Sequence, residues 1–68
     1  MDRRELVACL LDEAGRHHAK GHHRRALRCE GAAARIESEE GATIPDDALD
    51  AWLEGWEAGE SILRAWCL

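Results

Sequence analysis

The residues best suited to chemistry are four histidines in one short stretch, at positions 17, 18, 22 and 23. His18 and His22 are four residues apart, and Cys29 follows seven residues after His22, which is the spacing of one helical face. Imidazole and thiolate are good ligands for Zn²⁺ or Ni²⁺. However, Gly21 predicts a turn inside the cluster, and no fourth ligand follows. We therefore interpret the stretch as an exposed basic turn and predict neither a metal site nor a cofactor.

Catalytic groups are scarce elsewhere in the chain. No serine lies near a histidine base, and no glycine-rich phosphate loop is present. Cys29 is close to Arg25 and Arg28, and such cations can lower a thiol pKa. Its place on a predicted apolar stripe favours a packed thiol instead. We predict that the protein is not an enzyme.

Charge is divided unevenly between the two halves of the chain. Residues 1–36 carry eight Lys/Arg and five Asp/Glu, a net charge of +3, whereas residues 37–68 carry one Arg and nine Asp/Glu, a net charge of −8. This asymmetry predicts a binding surface or two halves that attract each other, within or between chains. The basic patch consists of Arg24, Arg25 and Arg28. The acidic face consists of Asp47, Asp50, Glu54 and Glu57.

These side chains require helices to position them. Apolar residues recur at helical spacing and no run alternates with period two, so we predict an all-α protein. The 68 residues form a single small domain, with helices at about 2–18, 22–40 and 46–66. Glycine favours the backbone that ends helices, so Gly21 and Gly41 mark two ends. The predicted architecture is a helical hairpin plus a third amphipathic helix, a small three-helix bundle.

The third helix carries the large apolar side chains. Trp52, Trp56 and Trp66 fall on one arc at about 100° per residue, and Gly55 and Gly59 lie inside that arc. A glycine within a helix costs roughly 1 kcal/mol relative to alanine. Their position therefore predicts a packing or interface surface where another backbone approaches closely.

The segment from Trp52 to Gly59 reads WxxGWxxG and resembles the C-terminal signature of the ribosome modulation factor family. Upstream, residues 30–34 (EGAAA), then Gly41 and Pro45, resemble that family's first helix and proline-containing linker. The resemblance covers roughly residues 30–59. It implies two helices packed through the Gly/Trp face, and binding to the ribosome or rRNA. The chain departs from the family in its acidic charge and in having Thr43-Ile44-Pro45 where members have Cys-Pro-Tyr or Asn-Pro-Tyr.

Two functions remain open from the sequence. The first is a small acidic regulatory protein that binds a protein partner with a basic surface, for example a phage- or plasmid-borne inhibitor that mimics nucleic-acid charge. The alternative is a protein that binds ribosomes or rRNA, like the ribosome modulation factor family. A homodimer fits either function. We expect a cytoplasmic location without membrane association, because the three cysteines are widely spaced and the N-terminal apolar run is too short for a signal peptide or membrane span.

Overall fold

The structure is a computed structural model that describes residues 3–37 and 49–66, and all of these except the turn at residues 20–22 are helical. Helix α1 spans Arg3–Ala19, α2 spans His23–Glu37 and α3 spans Leu49–Trp66. The all-α prediction and the three-helix arrangement are confirmed. The predicted helix ends at residues 38–40 and 46–48, and the proposed stop at Gly41, lie outside the described residues.

The turn between α1 and α2 follows from the local sequence. Gly21 has a φ of 80°, the left-handed conformation that glycine adopts without steric cost. The N–H of Gly21 donates to the carbonyl of His18 at 3.0 Å, and the N–H of His22 donates to that of His17 at 2.8 Å. These two bonds form a Schellman motif, which satisfies the last carbonyls of α1. The chain therefore reverses direction and α2 runs antiparallel to α1.

Helix α2 lies between the other two helices and packs against both. A small core at its C-terminal end joins Ala33 and Ile36 to Val7 of α1. Partly buried side chains from the two outer helices surround it, namely Leu6, Leu10, Ile62 and Leu63. Because α2 is covered from two directions, its buried residues are Ala26, Gly31, Ala32, Ala33 and Ile36. Cys29, which the sequence places on an apolar stripe, is half-buried.

Helix α3 runs parallel to α2. In the ion pairs between them the residue numbers of both partners increase together, from Arg24–Asp50 through Arg28–Glu54 to Arg35–Glu60. From Arg24 to Glu37, α2 rises about 20 Å at 1.5 Å per residue. An extended chain covers about 3.3 Å per residue, so the 11-residue connection at 38–48 is long enough to allow the parallel arrangement.

Candidate functional site

The interface between α2 and α3 is built on three buried glycines, which we call the glycine seam: Gly31, Gly55 and Gly59. A β-carbon added at Gly55 would lie 2.6 Å from the carbonyl carbon of Arg28 and would collide with its oxygen. One added at Gly31 would collide with the carbonyl oxygen of Trp52. One added at Gly59 would lie 2.7 Å from the carbonyl oxygen of Ala32. The two backbones therefore pack closely because these positions have no side chain.

Two tryptophans flank the glycine seam. Trp52 is 5% exposed, and its ring stacks on that of Trp56 with 5.2 Å between centroids. The guanidinium of Arg35 lies 5.6 Å from the centre of the Trp56 ring, a cation–π distance. Trp66, predicted to share this face, is the last residue of α3, and its side chain is not among those that the structure describes. These contacts make the Gly/Trp surface a packing surface between α2 and α3.

The structure brings the basic patch and the acidic face together along the edge of this interface. Arg24 donates to Asp50 through both terminal guanidinium nitrogens, Nη1 and Nη2, and Arg28 Nε donates to Glu54 at 2.9 Å. The hydrogen bond from Arg24 lowers the pKa of Asp50, and the bond to Asp50 raises the pKa of Arg24. All four side chains remain about half exposed or more. Of the other predicted members, Asp47 lies outside the described residues, and Arg25 and Glu57 have no ion pair within them.

The outward side of α3 keeps apolar side chains in solvent. Leu49 is 41% exposed and Leu53 is 45% exposed, one helical turn apart. We call these two residues the leucine ridge. Angular position alone puts Leu49 close to Trp52 and Trp56 on α3, yet Leu49 is exposed, because α2 covers only the side of α3 that carries the glycines. Asp50, Glu54 and Glu57 lie beside the ridge on the same helix, so this surface combines apolar and negatively charged groups.

The histidines meet at the turn between α1 and α2, in a different grouping from the predicted one. His18 Nδ1 lies 2.9 Å from His23 Nδ1, and His18 Nε2 lies 2.9 Å from Glu30 Oε1. His22 instead lies against His17, with 6.3 Å between ring centroids. Within residues 3–37 and 49–66, no three His, Cys, Asp or Glu side chains are grouped so that they could hold a metal ion. His18 therefore links α1 to α2 through these two contacts and stabilises the helical hairpin.

Cys29 is a half-buried free thiol. Burial raises its pKa, and the negative charges of Glu13 and Glu30 raise it further. Neither neighbouring arginine is among the causes of this shift, and Arg28 is bound to Glu54. The thiol is therefore kept protonated, in a state that is a poor nucleophile and a poor metal ligand.

Comparison with known proteins adds no relative. No protein-family model matches the chain, and neither a curated protein nor a solved structure does. In the part of the chain that the structure describes, no helix combines the length and the apolar character needed to cross a membrane.

Sequence reasoning missed two features of this site. Gly31 is as tightly packed as Gly55, yet it was noted only as part of the family resemblance. The run of small residues from Gly31 to Ala34 was the available signal, because small residues allow helices to approach closely. The leucine ridge had no signal of its own, since its exposure depends on which side of α3 meets α2.

Proposed function

We propose that this chain is a non-catalytic binding protein that recognises a protein partner with a basic surface through the outward side of α3. The observation that carries the proposal is the leucine ridge, nearly half exposed and bordered by three carboxylates. Apolar side chains of this kind give a partner area to bury, and the carboxylates select a positively charged one. An inhibitor that mimics the charge of nucleic acid is one form of this function. We place it in the cytoplasm, because Cys9 and Cys29 are free thiols.

The arginines of α2 do not exclude such a partner. Asp50 and Glu54 are 66% and 57% exposed even when paired. Exposed ion pairs contribute little to stability, so lysines or arginines of a partner can replace Arg24 and Arg28 at modest cost. A partner that binds Glu57 does not have to displace an arginine, since no described residue forms an ion pair with Glu57.

A pull-down from host lysate tests the proposal. We expect the wild-type chain to capture a basic protein, with capture weakening as salt rises. The triple variant Asp50→Asn, Glu54→Gln, Glu57→Gln should bind more slowly while its helical circular-dichroism spectrum is unchanged. Asp12→Asn with Glu13→Gln, which removes two exposed carboxylates from α1, is the matched control and should bind normally. Full capture by the triple variant would exclude the acidic face as the binding surface.

Binding to the ribosome or rRNA is the second candidate. The observation in its favour is that Gly31, Gly55 and Gly59, which belong to the segment resembling the ribosome modulation factor family, all lie in the α2–α3 interface. Phosphate contacts would then come from basic side chains of α2. The same pull-down separates the two functions, because Arg25→Gln should release ribosomes in the second case and leave a basic partner bound in the first.

A further inference from the structure

A second apolar surface lies on α1, at the opposite end of the molecule from the leucine ridge. Val7, Ala8 and Leu11 line an open groove of about 510 Å³, bordered by Arg3 and Arg4. Glu37, at the end of α2, completes its wall. Leu11 is 48% exposed, the most exposed large apolar side chain in the described residues. We call this surface the α1 groove.

The charges of the α1 groove are available for binding. Neither Arg3 nor Arg4 forms an ion pair with another described residue. Glu37 adds one negative charge, so the groove keeps a net charge of +1 and favours a helix that has apolar side chains one turn apart with carboxylates next to them. The outward side of α3 has this pattern, with Leu49 and Leu53 beside Asp50, Glu54 and Glu57.

The α1 groove and the leucine ridge lie at opposite ends of the helices. Val7 in the groove is level with Ala33 and Ile36 near the end of α2, whereas Asp50 beside the ridge is level with Arg24 near its beginning. Two chains placed antiparallel therefore bring the groove of each chain to the same level as the ridge of the other. We propose that the protein forms a two-fold symmetric dimer in which the α1 groove of each chain binds the leucine ridge and acidic face of its partner.

The composition of the core gives a reason for this association. Of the eight buried hydrophobic residues among those the structure describes, five are alanines, and Ile36 is the only large side chain buried completely. A small domain commonly gains stability from a second copy, and the part of the core that the structure describes contains few large apolar side chains. The symmetric arrangement buries both grooves and both ridges, which doubles the area that one contact would cover.

Charge reversal tests the pairing directly in the purified full-length chain under reducing conditions. By sedimentation equilibrium, wild type should be a dimer at tens of micromolar. The variant Arg3→Glu with Arg4→Glu should raise the dissociation constant of the dimer at least tenfold, and so should the separate variant Glu57→Arg. In each variant dimer, both groove–ridge contacts bring like charges together. An equimolar mixture of the two variants should form heterodimers, since one contact is restored with its charges exchanged and the other is wild type. Lys20→Glu, which reverses an exposed charge in the turn, should dimerise normally.

Several outcomes would overturn the proposal. A wild-type chain that stays monomeric at several hundred micromolar excludes the dimer. Variants that dimerise like wild type, or that do not recover on mixing, exclude the groove–ridge contact. Growth beyond the dimer excludes the two-fold arrangement. The dimer covers the surface that the proposed function assigns to a basic partner, so the second copy and that partner would compete for it. Sedimentation of the purified chain contains no other protein, so it tests the dimer separately from the proposed function.

Discussion

At the scale of single residues, the absence of a side chain is as important as the presence of one. Gly31 and Gly55 are tolerated inside helices, at a cost in helix propensity, because any larger residue would meet the backbone of the neighbouring helix. Gly15 is also a glycine inside a helix, but a β-carbon added there would meet no atom within 4 Å. The chain therefore contains a matched comparison between packed and unpacked helical glycines.

We predict opposite effects of alanine at these positions. Gly31→Ala and Gly55→Ala should each lower the free energy of unfolding by about 1–3 kcal/mol, the usual cost of overpacking. Gly15→Ala should raise it by about 0.5–1 kcal/mol, because alanine is the better helix former. Urea unfolding followed by circular dichroism measures all three. The close packing of α2 on α3 would be refuted by a stabilising effect at Gly31 and Gly55.

Asp50 makes stability depend on pH at the acid end. The hydrogen bond from Arg24 lowers its pKa in the folded chain, so this contribution is fully present above the ordinary aspartate value of about 3.9. It is lost as the pH falls through the lower folded value, because the protonated carboxyl no longer binds the guanidinium as an anion. Asp50→Asn should therefore lower the melting temperature slightly at pH 7, and the difference from wild type should shrink at pH 2. A difference that grows on acidification would contradict this assignment.

At the scale of elements, sequence reasoning succeeded for the hairpin and missed the direction of α3. Gly21 between two amphipathic stretches predicts a reversal, and the Schellman motif supplies it. The connection at 38–48 is long enough for either direction, so periodicity alone cannot distinguish a parallel from an antiparallel third helix. The decisive information is the register of Gly31 against Gly55 and Gly59, which exists only once both helices are placed.

A double-mutant cycle tests the parallel direction. Arg28→Ala and Glu54→Ala should show a coupling energy of about 0.2–1 kcal/mol, typical of an exposed ion pair. Arg28→Ala and Glu60→Ala should show none, because Glu60 pairs with Arg35 and Arg64 and not with Arg28. The opposite result from urea unfolding would contradict the register of the parallel pair.

At the scale of the whole molecule, Ile36 is the only large side chain among the described residues that is buried completely. For 68 residues, typical stabilities of 0.05–0.15 kcal/mol per residue give a total of roughly 3–10 kcal/mol. Removing a fully buried isoleucine costs about 2–5 kcal/mol. Ile36 joins α1 to α2 in the cluster with Val7, and Ile62 and Leu63 of α3 pack on the same cluster. Its loss should therefore affect all three helices together.

We predict that Ile36→Ala removes a third or more of the free energy of unfolding and lowers the melting temperature by more than 10 °C. The reason is that the neighbouring side chains are held on three packed helices and cannot move far enough to fill the cavity, so both the lost burial and the empty volume are destabilising. Thermal unfolding by circular dichroism at the lowest practical protein concentration measures the effect on the single chain. Leu11→Ala, which truncates a side chain that is 48% exposed, is the control and should cost less than about 1 kcal/mol under the same conditions. Equal losses for the two variants would mean that Ile36 does not hold the three helices together.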